Sequence, residues 1–354
     1  MNNRALALPV LFTLVCCGGA AVQPTPDAGP PADSGPVTTT DAGAADAAPD
    51  AAPAAPLADM NVPRSLFGVV SGKDGVVHVF NGLSLVGLQS TTEAYDATKN
   101  EWTPGGAAAS VERYAGSAVE DADGDILVVG GTTDGQNPTG SVERYAPSKD
   151  AWSKLADLPT PRLGLATARA KDGRVFAIGG RAMDGKPSSV VEVWSPSTKT
   201  WSAGPSLPTP RLSLQAVAGA DGLIYAIGGR DAQQTPLAVV EVLDPNTNQW
   251  TQAVPLGVAR YWFGATLGAD NRIYVTGGIG GPKSEFLDSA EAFAPNQGWT
   301  KLAPMPKPRA WGGAAAAKDG RVFMIGGSIP AGGLQPPPVA SMVAYDPKAN
   351  AWSE

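Results

Sequence analysis

The chain has 354 residues, with 43 glycines, 33 prolines and a formal charge of −7 at pH 7. The negative charge is concentrated near the N-terminus, because residues 18–59 contain six aspartates and no lysine or arginine. Without that stretch the chain is close to neutral, so its composition gives no argument for a nucleic-acid partner.

The first residues have the pattern of a secretory signal peptide. Arg4 precedes an apolar run over residues 5–15, which is too short to span a membrane. The sequence LVCC that ends at Cys17 resembles a bacterial lipobox, and this resemblance implies lipidation of Cys17. The residue after Cys17 is Gly18. Aspartate at this position is associated with inner-membrane retention, so glycine favours an outer-membrane or surface location. Cleavage after Ala20, which would give a secreted protein, is the alternative.

Residues 18–56 are rich in proline, alanine and aspartate and almost free of aromatic and aliphatic side chains. Such a segment cannot bury enough apolar surface to offset the entropy lost on ordering, so we predict a disordered tether. The predicted organisation is a signal peptide over residues 1–17, the tether over 18–56 and a folded domain over 57–354. Cys16 and Cys17 are the two cysteines of the sequence, so we expect no disulfide in the folded domain.

The folded domain repeats one unit six times, at an interval of forty-nine residues. Each unit opens with an arginine, has a glycine pair (Asn-Gly in the first unit) near its middle and closes with a tryptophan. The arginines are Arg64, Arg113, Arg162, Arg211, Arg260 and Arg309. The second glycines are Gly82, Gly131, Gly180, Gly229, Gly278 and Gly327. The tryptophans are Trp102, Trp152, Trp201, Trp250, Trp299 and Trp352.

Each unit predicts four short antiparallel strands, which we label a to d. In the third unit, strand a starts at Arg162 and runs to a tight turn at 171–173, where Lys-Asp-Gly suits a hairpin. Strand b covers residues 174–178, which are largely apolar and must be covered on both faces. Strand c covers 190–194, and strand d begins at Trp201. The glycines after strand b permit positive φ and let aromatic rings approach the backbone.

A glycine pair, an aromatic residue and a tryptophan at a period near fifty resemble the kelch repeat, over residues 64–354. The resemblance implies an all-β, six-bladed kelch β-propeller, with four antiparallel strands in each blade and a central channel. Neighbouring blades must then stabilise each other, because one blade cannot bury its own faces. The segment 57–63 has the spacing of a link that precedes a ring arginine. We therefore predict that this segment follows the sixth blade and brings both termini together.

Strand c carries a glutamate in five units, at Glu93, Glu143, Glu192, Glu241 and Glu291. Because the arginine series has nearly the same period, we predict a structural ring in which each arginine meets a carboxylate. The arginines of this ring are Arg64, Arg113, Arg162, Arg211 and Arg260. In the sixth unit Val343 replaces the glutamate, which leaves Arg309 as a candidate to contact a ligand.

The predicted connectivity places the binding candidates on one side of the disc. The b–c and d–a links lie on one side, the link face, and the a–b and c–d turns lie on the other, the turn face. The b–c links vary in length while the turns are nearly uniform, and variable loops on a rigid scaffold are typical of a binding surface. The candidate ligand-binding residues of the link face are Arg181, Arg230, Tyr114, Tyr261, Trp262 and Trp311. Packing between blades is the alternative role for the aromatic residues.

Residues suited to catalysis are scarce. Galactose oxidase, a kelch enzyme, needs two histidines and a tyrosine cross-linked to cysteine at its copper, whereas this domain has one histidine and no cysteine. A Ser-His-Asp arrangement would have to use that histidine, His78, which lies within strand b. Residues 120–125 have the spaced oxygens of a calcium loop, but they align with the other a–b turns, which favours a hairpin. We predict no catalytic residue, no metal and no cofactor.

The sequence therefore predicts a non-catalytic binding module of the bacterial cell envelope, with a protein segment or a glycan bound to the link face. We expect a monomer that contacts the membrane only through its N-terminal lipid and does not bind nucleic acid. The alternative is a periplasmic enzyme resembling N-acetylneuraminate epimerase, a sialic acid mutarotase-like kelch propeller in which arginines and acidic residues bind the sugar acid. A deep channel mouth lined by arginine would favour the enzyme, and a shallow aromatic rim would favour the binding module.

Overall fold

A computed structural model describes residues 56–331 and 336–354. The predicted signal peptide, Cys17 and residues 18–55 of the predicted tether lie outside the described residues. The described residues belong to one compact unit, Pro56–Glu354, and their regular secondary structure is entirely β. Across both described ranges, no helix has the length and apolar character needed to traverse a bilayer.

The first three blades follow the order of the chain. Blade one contains β1 (Gly68–Ser71), β2 (Val76–Phe80), β3 (Leu83–Ser84), β4 (Gly87–Leu88), β5 (Thr92–Asp96) and β6 (Glu101–Pro104). Blade two contains β7 (Ser117–Glu120), β8 (Ile126–Val129), β9 (Val142–Ala146) and β10 (Ala151–Lys154). Blade three contains β11 (Ala166–Arg169), β12 (Val175–Ile178), β13 (Val191–Ser195) and β14 (Thr200–Ala203).

The last three blades repeat this pattern. Blade four contains β15 (Gln215–Ala218), β16 (Ile224–Ile227), β17 (Val240–Asp244) and β18 (Gln249–Gln252). Blade five contains β19 (Arg260–Tyr261), β20 (Gly264–Leu267), β21 (Ile273–Thr276), β22 (Ile279–Gly280), β23 (Glu285–Phe286), β24 (Ala290–Ala294) and β25 (Gly298–Lys301). Blade six contains β26 (Gly313–Ala316), β27 (Val322–Ile325), β28 (Met342–Asp346) and β29 (Ala351–Ser353).

Each blade is a four-stranded antiparallel sheet in which strands a to d are neighbours in chain order. Strand a of each blade contacts strand a of the next, and blade six contacts blade one in the same way, which closes the ring. The predicted all-β, six-bladed propeller is therefore confirmed. The prediction that strand a starts at the arginine is wrong: β1 starts at Gly68 rather than at Arg64, and β11 starts at Ala166 rather than at Arg162.

The later start of strand a has a physical cause in the backbone. Two residues after the arginine that opens each of the six units, the chain adopts a φ between 51° and 62°, so it turns before the strand begins. The six turning residues are Leu66, Ala115, Gly164, Ser213, Trp262 and Trp311. The N–H of each donates to the carbonyl of its counterpart in the preceding blade, over 2.7–3.1 Å. These six bonds form a closed ring around the channel.

The core lies between the blades. In blade three, strand b is fully buried, and its Phe176 and Ile178 pack with Ile224 and Leu243 of blade four. The tryptophan of strand d covers the residue opposite it on strand c, which is aromatic except for Leu243 of blade four, as in the Trp194–Trp201 pair with 5.5 Å between ring centroids. Burial of such large side chains contributes much of the stability of a repeat fold.

The N-terminal segment takes the place of the link after blade six, as predicted. The N–H of Leu57 donates to the carbonyl of Glu354 at 3.4 Å, so both ends of the domain meet. Met60 is buried in the cluster shared by blades six and one. The indole of Trp102 donates to the Ala58 carbonyl at 3.0 Å. In the same way, Trp201 of blade three donates to the carbonyl of Ala156, in the link that precedes blade three. The predicted closure is confirmed.

Candidate ligand-binding face

Five ring arginines are buried and paired with the glutamate of strand c. The five pairs are Arg64–Glu93, Arg113–Glu143, Arg162–Glu192, Arg211–Glu241 and Arg260–Glu291. In blade three the ion pair spans 2.8 Å, and Arg162 also donates to the Gly179 carbonyl at 2.7 Å. Glu192 in turn accepts from the N–H of Thr160 at 3.0 Å. Each pair therefore fastens the entry of strand a to the ends of strands b and c.

Burial lowers the pKa of these arginines, and the neighbouring glutamate opposes that change. A guanidinium remains charged under such conditions, so each site is a buried ion pair with its hydrogen bonds satisfied largely by the protein. Removing one partner of such a pair leaves an uncompensated charge in the core. This arrangement suits a structural role for the ring.

Arg309 lies in a different environment. It has 2% of its surface exposed, and it donates to the Gly326 carbonyl at 3.0 Å, to the Ser341 hydroxyl at 3.1 Å and to the Ser341 carbonyl. Burial without a paired carboxylate lowers the pKa of Arg309 to about 10. Val343, Met305 and Met324 form an apolar cluster in this blade. The arginine is thus directed at protein carbonyls, and little of it reaches solvent.

Three of the other candidates are also buried. Tyr114 and Tyr261 are each 7% exposed, and Arg230 is 8% exposed. The guanidinium of Arg230 lies over the ring of Tyr261, 5.0 Å from its centroid, and burial lowers the pKa of Arg230. Burial likewise raises the pKa of the Tyr114 hydroxyl. That hydroxyl lies so close to the backbone of Gly135 that an added Cβ would come within 2.4 Å of it. These side chains pack the base of the link face.

Arg181, Trp262 and Trp311 are partly exposed and form the solvent-facing layer of the link face. Arg181 donates to the Gln136 carbonyl of blade two at 2.6 Å, which joins neighbouring links. Trp262 lies across Gly164, where an added Cβ would be 3.3 Å from the indole. Both tryptophans line a cavity of about 130 Å³ at the channel, and none of the described residues that line it is charged. The mouth of the channel therefore has an aromatic rim.

Exposed apolar side chains mark the tips of two b–c links on this face. Leu85 is 69% exposed, Val86 is 90% exposed and Met183 is 61% exposed. Leu85 and Val86 form the tip of the β3–β4 hairpin, and Met183 lies in the b–c link of blade three. Sequence reasoning missed all three. The available signal was a large apolar residue in a segment that the turn residues mark as exposed, as in Met183 before Asp184 and Gly185.

The comparisons with known proteins agree with this geometry. A family model described as the KLHDC2/KLHL20/DRC7 Kelch-repeats domain matches residues 69–278. The chain belongs to the kelch-repeat family. A solved structure titled "Structure of YjhT" superimposes with a TM-score of 0.68 at 18% identity, covering 84% of this chain and 99% of that one. At this identity the likeness shows a shared fold. None of the curated proteins matches the chain.

In this kelch propeller, the acidic turn at residues 120–125 binds an arginine of its own blade. Arg144 of blade two lies 3.2 Å from Asp121, 3.0 Å from Asp123 and 2.8 Å from Asp125. Asp121 also accepts from the N–H groups of the turn, which is the geometry of a hairpin. Within residues 56–331 and 336–354, no group of three or more acidic, histidine or cysteine side chains is arranged to hold a metal ion.

Proposed function

We propose that this kelch propeller is a non-catalytic binding module whose link face holds an extended protein segment. The observation that carries the proposal is the placement of exposed apolar side chains. Among the described residues four large apolar side chains are exposed, and three of them, Leu85, Val86 and Met183, lie at the tips of b–c links. Exposed apolar side chains gathered on one face mark interaction sites, because leaving them in water is unfavourable.

The electrostatics of the face favour a segment that also carries an acidic residue. Burial lowers the pKa of Arg230, and the nearby Arg181 guanidinium adds to this lowering, so two cations lie near each other. Arg181 is the partly exposed member of this pair. A carboxylate from the partner would relieve the repulsion and could accept two parallel hydrogen bonds from the guanidinium. A glycan, the other ligand class predicted, would use the tryptophan rim for stacking.

The shape of the channel mouth supports a binding module over a sugar-acid enzyme. A sialic acid mutarotase or epimerase would need arginines that line the channel mouth, but five of the six repeat arginines are buried in ion pairs, and none of the described residues lining the mouth is an arginine. The cavity at the mouth is small and lined by uncharged residues, with Trp262 and Trp311 among them. An aromatic rim without arginine supports the binding module.

Site-specific crosslinking tests the proposed face. A photo-crosslinking residue at Val86 or at Met183 should capture the same partner from an envelope extract. The same residue at Ser197 or Thr247, which are exposed in c–d turns of the turn face, should capture none. A partner caught from the turn face alone would overturn the proposal. A glycan array run in parallel distinguishes the two ligand classes, since a glycan ligand gives array binding without a protein crosslink.

We also propose that Cys17 is lipidated and anchors the propeller to the outer membrane or cell surface. The support is the LVCC sequence, together with the proline-rich and alanine-rich stretch that follows it. In fractionated cells, the Cys17→Ser variant should move from the membrane to the soluble fraction. A variant that stays with the membrane would place the anchor elsewhere, and Cys16→Ser serves as the matched control.

A further inference from the structure

Three blades carry an arginine at the start of strand b on the turn face, and in two of them it donates to the next blade. These latch arginines, at the start of strand b, are Arg174, Arg272 and Arg321. The guanidinium carbon of each lies 5.1–5.4 Å from the centroid of an aromatic ring on the same strand. Arg174 binds Asp172 at 2.7 Å and donates to the Pro245 carbonyl, in the c–d turn of blade four, at 2.6 Å. The arginine thus joins blade three to blade four.

The latch between blades six and one has the same parts. Arg321 lies over Phe323, binds Asp319 at 2.8 Å and donates to the Ala97 carbonyl of blade one at 3.3 Å. Arg174 and Arg321 therefore each contact three groups: a turn carboxylate, a ring two residues further along strand b, and a carbonyl in the c–d turn of the next blade. Such a set matches the donors and the flat face of a guanidinium.

Between blades one and two, the receiving groups are present but the arginine is replaced. Val76 stands at the latch position, while Asp74, His78 and Pro147 occupy the positions of the carboxylate, the ring and the carbonyl. A cleft of about 580 Å³ opens here on the turn face, and these four residues line it. The valine is too short to fill the gap that an arginine fills between blades three and four.

Two buried polar atoms of this cleft have no hydrogen-bond partner. His78 is 4% exposed, and its Nε2 lies 3.3 Å from Asp74 Oδ2. When Nε2 carries the proton and donates it to Asp74, Nδ1 is an acceptor, and among the described residues it has no donor. The hydroxyl of Thr92 is likewise unpartnered, at a position where blade three has Val191. A buried polar atom without a partner is unfavourable, and a ligand with hydrogen-bond donors in the cleft would supply partners for both atoms.

The charge of the cleft selects a cation. Five carboxylates line it, together with the ammonium of Lys73. Those carboxylates are Asp74, Glu120, Asp123, Asp125 and Asp150. Arg144 pairs with Asp123 and Asp125, and Arg169 pairs with Glu120, so two of the five have no lysine or arginine partner among the described residues. The walls also include the apolar surfaces of Ala94, Ile126 and Tyr145, which suit an alkyl chain. We propose that the cleft between blades one and two binds a guanidinium or alkylammonium group carried on an apolar chain, either from a small cation or from an arginine side chain of a protein.

The lone histidine gives a direct readout in the full chain. Because the sequence contains one histidine, its imidazole yields a single set of NMR resonances that reports on the cleft. Titration with butylguanidinium should shift these resonances, and butylurea, which has the same shape without the charge, should bind at least about tenfold more weakly. Equal shifts with both probes would overturn the proposal.

Matched variants locate the site. Val76→Arg should supply the missing latch from the protein itself and reduce butylguanidinium binding about tenfold or more. Leu223→Arg places the same charge at the equivalent position of blade four, outside the cleft, and should leave binding unchanged. Asp74→Asn tests the same site should the arginine variant fail to fold, and should also weaken binding. Binding that survives in Val76→Arg and in Asp74→Asn would contradict the proposal.

Two further probes separate the sources of the cation. Agmatine represents a small free cation, and an acetylated, amidated Gly-Arg-Gly peptide represents an arginine side chain in a protein. Agmatine binding without peptide binding identifies a small-molecule site, because the peptide backbone is then too bulky for the cleft. Comparable binding of both identifies a side-chain site. Failure of both to shift the histidine resonances would overturn the proposal, whatever the outcome of crosslinking on the link face.

Discussion

The equivalent arginines of blades three and six lie in different surroundings. Arg162 is paired with Glu192 at 2.8 Å, whereas Arg309 donates to backbone carbonyls and to Ser341. The residue opposite the glutamate in blade three is Ala177, but the residue opposite Val343 in blade six is Met324. A larger neighbour thus accompanies the smaller valine. The loss of a carboxylate from the sequence pattern therefore does not expose the arginine to a ligand, because Arg309 stays buried and donates to carbonyls, although its Nε has no partner among the described residues.

The two blades also differ in the link that follows them. After blade three the chain continues directly to Leu207, which is 1% exposed. After blade six the equivalent place is filled by Met60 from the other end of the domain, and it is 3% exposed. Leu207, the apolar anchor of blade three, is joined to that blade by the continuous chain. Met60, the apolar anchor of blade six, is held against that blade by packing and hydrogen bonds alone. Closure of the ring thus depends on side-chain burial.

The largest effect is expected from breaking the ion pair of blade three. Glu192→Gln keeps the shape of the side chain but leaves Arg162 as an uncompensated buried charge. We expect a loss of about 3–5 kcal/mol in the free energy of unfolding, measured by urea denaturation. Ser202→Ala, on the exposed face of strand d, is the control and should change stability by less than about 0.5 kcal/mol. A glutamine variant as stable as that control would show that the pair is not structural.

Truncating the anchor of blade six should have the next largest effect. Met60→Ala removes a buried side chain that packs with Phe67 and Phe323, between blades six and one. The expected cost is about 2 kcal/mol or more, from lost burial and the cavity left behind. Leu57→Ala, at a partly buried position of the same segment, should cost less. Equal and negligible effects of both changes, in the same denaturation experiment, would mean that the segment does not close the ring.

Converting blade six to the arrangement of blade five tests the comparison directly. Val343→Glu alone places a carboxylate against Met324, and Met324→Val alone leaves unfilled space, so each single change should destabilise the protein. Together they reproduce the Val275 and Glu291 pair that accompanies Arg260. We expect the double variant to be more stable than the sum of the single changes by about 1–2 kcal/mol in a double-mutant cycle. Strict additivity would indicate that Arg309 cannot reach a carboxylate at residue 343.

Most of the fold could be predicted from the sequence, because six copies of the repeat show the same pattern of residues. Strand order, the glycines of positive φ and the link at residues 57–63 all follow from spacing and turn chemistry. The ion pairs of the ring lie where two series of nearly equal period predict contact. The start of strand a was missed because a φ near 55° at Leu66 or Ala115 breaks the usual preference of such residues.

How deeply the candidate side chains are buried could not be predicted from the spacing of the repeat. Spacing places Tyr114 and Tyr261 on the link face, but their burial depends on how neighbouring links fold over them. The backbone of Gly135 covers the Tyr114 hydroxyl, and Arg230 covers the ring of Tyr261. The turn-face cleft was missed for a related reason. It appears only when Val76 is compared with the arginine that the structure shows to be a latch in other blades.

The smallest effect concerns the b–c links, where blade three again differs from blade six. Blade three presents Arg181 and Met183 at the positions where blade six has Ser328 and Pro330. The double change Arg181→Ala and Met183→Ser should weaken binding of a partner identified by crosslinking about tenfold, or about 1.4 kcal/mol, because arginine and exposed apolar residues carry much of the energy of an interface. Ser328→Ala should leave the affinity unchanged, measured by titration calorimetry. Both variants should keep the circular dichroism spectrum of the parent, since Arg181 and Met183 reach the surface and Ser328→Ala removes a single buried hydroxyl that has no hydrogen-bond partner among the described residues. A partner that binds the double variant as tightly as the parent, but loses affinity for Ser328→Ala, would move the binding surface from blade three to blade six.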